Sequence, residues 1–300
     1  MSMIDYHVHT TFSDGANTPQ QMIDEAVRLG ITELAITDHY DPFDPTLARF
    51  GHTPEELARH FEVIRACAQG KPLRVFCGIE TSTGPDGRLR VPPRVLNMCQ
   101  TVITSVHYLE GDILVHRGEY ENDAYWHAYK RKLLEQAAGP GDVLGHPEAY
   151  LPIGPMLEEG TTFEDRQVIC ARISEKYFDA PFIDALGDAL TSSGKAYELH
   201  GATNTPREWV VRRLHARGVH FSIGSDAHVG SLAFPFAANL LALENGCSTS
   251  KDAAPPRSSG CCNAAPKRRI PIWSNMLRTV NICRRCIKCC VRSRKMKRRQ

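Results

Sequence analysis

Apolar and polar positions follow two alternating patterns along residues 1–247. Short apolar runs rich in β-branched residues predict seven strands, over residues 4–8, 33–37, 73–79, 101–106, 143–144, 195–199 and 220–223. Apolar positions at helical spacing predict helices over residues 18–29, 53–69, 122–138, 163–177 and 206–217. Thr18-Pro19 and Thr53-Pro54 have the composition of helix N-termini, with proline at the first helical position.

Strands that alternate with helices favour right-handed crossovers and a parallel sheet. Such a sheet forms a barrel when it closes and a doubly wound sandwich when it stays open, and the alternation is compatible with both. The Pro- and Gly-rich segment 82–96 predicts a long loop. Segment 148–193 is longer than one crossover needs and predicts an inserted pair of helices.

Charge divides the chain into two unequal parts. Of 36 basic and 34 acidic residues, 15 basic residues but only one acid, Asp252, lie in residues 248–300, so residues 1–247 carry a net charge of about −12. Six of the eleven cysteines also lie beyond residue 260. We therefore expect an acidic globular domain over 1–247 and a basic, Cys-rich tail over 248–300.

Histidines are concentrated where the predicted strands end. Six of the thirteen histidines, and one glutamate, lie at or just past a strand end: His7, His9, His39, Glu80, His107, His146 and His228. Because parallel strands end on one face, these side chains are expected to meet there. Imidazole and carboxylate ligands without thiolate suit Zn, Mn or Fe. The other histidines are expected to be structural, with His200 the exception, since it ends the sixth strand.

Six short motifs together resemble those of the PHP (polymerase and histidinol phosphatase) family. They are HVHTTFSDG (7–15), TDH (37–39), GIE (78–80), SVH (105–107), GHP (145–147) and GSDAH (224–228). The resemblance runs from Met1 to about residue 245. It implies a distorted (β/α)7 barrel with a cluster of two or three divalent metal ions at the carboxyl ends of the strands.

The resemblance also implies which residues hold the metals. Carried over position by position, the ligands are His7, His9, Asp14, His39, Glu80, His107, His146, Asp226 and His228. Glu80 would be the bridging carboxylate, and Glu80, Asp226 and His228 are the expected catalytic residues. Asp5 and Asp38 precede ligand histidines, so each is expected either to orient a ligand or to cap nearby backbone groups.

Clustered divalent ions are suited to the hydrolysis of phosphate monoesters. Stand-alone members of the family are often histidinol phosphatases, so histidinol phosphate is the first candidate substrate, with nucleotide and other phosphate esters as alternatives. Phosphate-binding candidates in the loops are Arg88, Arg117, Arg166 and Arg207. His200 stands where histidinol phosphatases typically have Asn in a Glu-x-Asn motif, and it joins the candidate substrate-binding residues.

Two other classes of function remain open. PHP domains also occur within DNA polymerases, and a basic tail would attract nucleic acid, although a net charge of about −12 in the body would repel it. Related metal barrels cleave amides and commonly use a carboxylated lysine late on a strand. Here Lys195 begins its predicted strand, which disfavours that reaction.

The tail matches no standard zinc module, although Cys283, Cys286, Cys289 and Cys290 are closely spaced. It is expected to be either a disordered basic extension or the result of a frameshifted or mis-spliced gene model. The last element of the body is the helix predicted over 232–243, so deletion of 248–300 should leave turnover and metal content unchanged. The chain has neither an 18-residue apolar stretch nor a visible signal peptide, which favours a cytoplasmic protein without a membrane partner.

Overall fold

Seven parallel strands form a nearly closed barrel in the computed structural model, which describes residues 3–41, 52–84, 86–111 and 113–229. The strands follow one another in chain order: β1 Met3–Val8, β2 Ile31–Ile36, β3 Arg74–Thr81, β4 Thr101–Thr104, β5 Val143–Leu144, β6 Ala196–His200 and β7 Phe221–Gly224. The barrel closes just past the end of β7, where the amide of Asp226 donates to the carbonyl of His7 at 2.8 Å. This closure confirms the distorted (β/α)7 barrel and excludes the open sandwich.

Helices connect the strands and cover the outside of the barrel. They are α1 Pro19–Arg28, α2 Pro54–Ala68, α3 Pro93–Met98, α4 Asp123–Ala138, α5 Phe163–Tyr177, α6 Ala180–Ser193 and α7 Glu208–Ala216. Thr18 and Thr53 form capping boxes with the glutamine or glutamate three residues later, as the sequence indicated for these helix starts. The predicted helical pair within 148–193 is α5 and α6. The loop predicted over 82–96 is wrong at its end, because α3 begins at Pro93.

The hydrophobic core has two main parts that flank the sheet. One packs α1 and α2 on the first strands through residues such as Ile23, Ile36 and Ile64. The other packs α4, α6 and α7 on the last strands and includes Trp126 and Leu186, which are both almost completely buried. Both parts hold the strands so that their carboxyl ends converge at one mouth of the barrel.

Several predictions fall on residues that the structure does not describe. The closing helix predicted over 232–243 and the basic tail over 248–300 both lie outside the described residues, so these remain predictions. Among the helices in the described part of the chain, none combines the length and the apolar character that a membrane span requires.

Candidate metal centre

The nine predicted ligands meet at the mouth of the barrel. Their donor atoms form four groups in which every atom lies within 4.8 Å of the others: His9, Asp14, His39 and His228; His7, His146 and Asp226; His7, His9 and Glu80; His39, Glu80 and His107. Because the groups share His7, His9, His39 and Glu80, they form one continuous cluster. This arrangement could hold more than one ion.

The carboxylate of Glu80, near the end of β3, lies at the centre of the cluster. Its Oε1 atom is 2.8 Å from Nε2 of His146 and 3.3 Å from Nε2 of His107. Its Oε2 atom is 3.2–3.4 Å from ring nitrogens of three further residues, His7, His9 and His39. One buried carboxylate therefore faces five imidazoles, and its two oxygens face different ones, an arrangement that suits a ligand shared between two ions.

Several buried polar atoms in the cluster have no hydrogen-bond partner, and they show whether metal ions would fit there. Glu80 Oε2, His9 Nδ1 and Asp226 Oδ1 are buried and make no hydrogen bond. Buried polar atoms without partners are rare because each costs about 1–3 kcal/mol. Divalent cations would satisfy these atoms, and an imidazole and carboxylate donor set suits Zn, Mn or Fe. The residues present therefore fit a metal cluster.

Electrostatics keep the central carboxylates ionised. Burial alone would raise the pKa of Glu80, but His7, His107 and His39 outweigh it and hold this pKa well below its usual range. The pKa of Asp226 is also held well below its usual range, because the attraction of His7 outweighs the effect of burial. Charged carboxylates are the form that binds metal, so both side chains are ready as ligands at neutral pH.

Two of the predicted ligands have backbone conformations that L-residues seldom adopt. His146 has a φ angle of 29° and Asp226 one of 55°, both in the left-handed region. The amide of His146 donates to Oε2 of Glu198 at 2.6 Å, and the amide of Asp226 donates to His7 O. Strained backbone of this kind concentrates at functional sites, where the surrounding structure must hold it.

Asp5 and Asp38 hold the loops that carry predicted ligands. Asp38 accepts hydrogen bonds from the amide and the hydroxyl of Thr10 and from Ser13 Oγ, at 2.7–2.8 Å. Asp5 accepts from the amide and the hydroxyl of Ser225 and from the amide of His7. Both aspartates therefore fix the backbone around the predicted ligands rather than the imidazole rings of those ligands.

Two residues near the site were not predicted as functional. Glu198 on β6 lies 2.7 Å from Nδ1 of His7, and His60 on α2 lies 2.8 Å from Asp38. Glu198 occupies the same face of β6 as His200, so strand alternation from a strand-end histidine could have indicated it. His60 lies on the buried face of α2, as a core residue does, and the sequence around it does not indicate the contact with Asp38.

A cleft of 620 Å³ opens above the cluster. Besides several of the proposed ligands, it is lined by Tyr150, Phe163, Arg166, Ala202, Ser225, Ala227 and Val229. The guanidinium of Arg166 lies 5.6 Å from the centre of the Tyr150 ring and donates to the carbonyl of Leu151. The cleft thus combines a polar metal-ligand floor with an aromatic wall that carries one cation.

The other candidate substrate residues lie elsewhere. Arg88 is exposed beside Asp86, and Arg117 is also exposed; neither lines the cleft. Arg207 forms an ion pair with the buried carboxylate of Glu148 at 2.8 Å. His200 is buried, and its Nε2 atom lies 3.2 Å from Oδ2 of Asp226, so it contacts a proposed ligand rather than the open cleft.

Lys195 lies immediately before β6, and its side chain is almost completely buried. Its ammonium group donates to Thr104 Oγ1 at 3.0 Å and to the carbonyls of Gln136 and Pro140. This position does not supply the metal-bridging lysine that amide-cleaving barrels commonly use.

Comparison with known proteins points to one family. A family model described as the PHP domain matches residues 5–181. A probable histidinol-phosphatase of Deinococcus radiodurans is 28% identical over 252 residues, which are 78% of this chain and 90% of that protein. The DNA polymerase/3'-5' exonuclease PolX of Bacillus subtilis is 34% identical over 104 residues, and the match spans only 18% of PolX.

A solved structure has the same fold. Histidinol phosphate phosphatase (HISK) from Lactococcus lactis subsp. lactis, complexed with Zn, L-histidinol and phosphate, aligns with a TM-score of 0.57 at 20% sequence identity. The alignment covers 82% of this chain and 92% of that one. The similarity to that structure establishes a common fold. Because the domain model matches more than half of the residues, this chain belongs to the PHP domain family.

Proposed function

We propose that this protein is a metal-dependent phosphatase of small phosphate monoesters, with histidinol phosphate as the first substrate to test. The observation that carries the proposal is the Glu80 carboxylate, which faces five imidazoles beneath an open cleft. The alignment with the Deinococcus radiodurans protein along most of both chains supports the choice of substrate.

The nine ligands would hold two or three ions of Zn, Mn or Fe, which lower the pKa of water and neutralise phosphate oxygens. Glu80 would bridge ions through its two oxygens, and Asp226 would present Oδ1, which makes no hydrogen bond and lies 3.1 Å from Nε2 of His9. The Nδ1 atom of His228 lies 2.8 Å from the carbonyl of Asp226 and donates to it, which leaves Nε2 of His228 as the ligand atom. These are the roles that we assign to the three catalytic residues.

Arg166 is the arginine that we assign to the phosphate. It lines the cleft, and its guanidinium would bring a positive charge and N–H donors to a phosphate oxygen there. Tyr150 and the half-exposed Phe163 would contact the organic part of the substrate. His200 would orient Asp226, because Nδ1 of His200 accepts from the amide of Thr203 and its protonated Nε2 faces the carboxylate.

A panel of phosphate esters tests the proposal. The metal-free protein is loaded separately with Zn²⁺, Mn²⁺ and Fe²⁺, and phosphate release is measured from histidinol phosphate, sugar phosphates and nucleoside monophosphates. We expect turnover of a monoester that EDTA abolishes and that the Glu80→Ala variant lacks. Metal bound to the wild-type protein without turnover of any monoester would refute the proposal.

A phosphoesterase that acts on nucleotides or nucleic acid is the second candidate. The segment that matches PolX favours it, because PolX is named as an exonuclease. The net charge of about −12 over residues 1–247 opposes it, since such a body repels a phosphate backbone. Release of nucleotides from end-labelled DNA or RNA, faster than hydrolysis of any small monoester, would favour this candidate.

We also place the protein in the cytoplasm. Three cysteines in the described part of the chain, Cys67, Cys77 and Cys170, are free thiols. Free cysteines are usual in a reducing compartment. Localisation of a fluorescent fusion, with cell fractionation as a second measurement, tests this assignment.

A further inference from the structure

Glu198 joins two of the proposed metal ligands that come from different strands. Its Oε1 atom lies 2.7 Å from Nδ1 of His7, and its Oε2 atom accepts a hydrogen bond of 2.6 Å from the amide of His146. His7 belongs to β1, and His146 follows β5. The Glu198 side chain is almost completely buried, so both contacts form away from solvent.

The space for this carboxylate depends on Gly224 at the end of β7. A Cβ atom at position 224 would collide with Oε1 of Glu198 and would lie 2.5 Å from Cβ of His7. A larger residue at 224 would therefore push Glu198 and His7 apart. The absence of a side chain at 224 allows the contact between Glu198 and His7.

The two contacts fix different properties of the two ligands. An ionised carboxylate only accepts hydrogen bonds, so Nδ1 of His7 must carry the proton and its Nε2 lone pair is left for a metal. Nε2 of His7 is the atom that faces Glu80, at 3.3 Å. The second contact holds the amide of His146, whose φ angle of 29° needs such support.

We propose that Glu198 is a positioning residue that sets the tautomer of His7 and the backbone of His146, and thereby the affinity of the ion held by His7, His146 and Asp226. This inference rests on the metal-binding part of the proposed function and on no particular substrate. A partner of this kind typically changes metal affinity by about 10–100-fold.

The Glu198→Gln variant separates this role from simple filling of space. Glutamine has nearly the same volume but only one acceptor oxygen. Its NH2 group would therefore face either Nδ1–H of His7 or the amide of His146, and two donors cannot form a hydrogen bond with each other. Gly224→Ala keeps the carboxylate and displaces it. The matched control is Glu33→Gln, a buried carboxylate on β2 that bonds to Tyr6 and belongs to none of the donor groups.

Metal affinity is measured by competition with a zinc chelator, and metal content by elemental analysis after dialysis. We expect at least one ion to bind about 10–100-fold more weakly in Glu198→Gln and in Gly224→Ala, and every ion to stay as in wild type in Glu33→Gln. Thermal unfolding of all four proteins shows whether a loss of metal follows from a loss of stability alone.

A spectroscopic measurement on the wild-type protein tests the tautomer of His7 even if the variants do not fold. Long-range proton–nitrogen NMR of the zinc-loaded protein, with ¹⁵N-labelled histidine, should show His7 protonated at Nδ1. Protonation at Nε2, or wild-type metal affinity in Glu198→Gln, would overturn the inference. A wild-type protein that binds no metal would instead refute the proposed function.

Discussion

The Nε2 atom of His60 lies 2.8 Å from Oδ2 of Asp38, and the His60 ring is stacked at 4.0 Å on the ring of Phe12. Asp38 in turn accepts from Thr10 and Ser13, which belong to the loop that carries Asp14. Helix α2 is thus connected to a proposed metal ligand through one buried carboxylate. The sequence predicted only a structural role for His60, whereas this contact connects His60 to the loop of a proposed metal ligand.

We expect His60→Ala to weaken metal binding, by roughly 10-fold for the ion held by Asp14 and its neighbours. The physical reason is that Asp38 would lose one donor and hold the 10–15 loop less firmly. Chelator competition measures the affinity. The control is His215→Ala, on the exposed side of α7, which should leave metal content unchanged. Equal affinities in the two variants would restore the purely structural interpretation of His60.

Local pattern was sufficient for most of the fold. The strand Val143–Leu144 and the helix Phe163–Tyr177 have the predicted bounds, because their apolar spacing and flanking residues agree with their tertiary environment. Helix α3 was not predicted, since the prolines and glycines that precede it obscure a short helix of six residues. Propensity is a weak guide to an element of that length.

Part of the candidate site could likewise be predicted from local pattern, and part could not. The strand-end histidines were predictable because all parallel strands end on one face, so position in the strand fixes position in space. The contact of Glu198 with His7 joins residues 191 positions apart, and that of His60 with Asp38 joins a helix to a strand end. Such contacts depend on side-chain packing between elements, which no local pattern reports.

The central carboxylate gives the most direct test of the cluster. Glu80→Ala should abolish phosphatase activity and lower the number of bound ions, because Glu80 belongs to two of the four donor groups. Elemental analysis and phosphate release measure the two effects on the same samples. His7→Ala and His228→Ala should act in the same direction. Full metal content in Glu80→Ala would show that the ions are bound elsewhere.

Arg166→Ala should raise KM by about 10–100-fold, which corresponds to the loss of a charged hydrogen bond to phosphate of about 1.5–3 kcal/mol. Metal content should stay at the wild-type value, since the guanidinium of Arg166 offers no lone pair to a metal ion. The matched control is Arg88→Ala, because Arg88 is exposed and lies outside the cleft lining. If both variants have the wild-type KM, the phosphate is bound without Arg166.

Lys195 predicts a pH dependence of stability that is independent of the metal site. Its side chain is almost completely buried, and its Nζ atom donates to the carbonyls of Gln136 and Pro140 at the end of α4 and just beyond it. Burial lowers the pKa of Lys195 to about 7 against the opposing attraction of Asp142, whereas the ordinary pKa of lysine is 10.5.

The sign of the effect follows from proton binding in the two states. Between pH 7 and 10.5 the unfolded chain binds a proton at Lys195 that the folded protein has released, so the free energy of unfolding rises with pH. Lys195→Met lacks this group and keeps a similar volume. We expect the free energy of unfolding of the wild-type protein to rise by a few kcal/mol, relative to that of Lys195→Met, as pH rises through this window. Urea unfolding of both proteins at several pH values measures the difference. A difference that stays constant from pH 7 to 10 would mean that the surrounding oxygen acceptors keep the buried amine protonated.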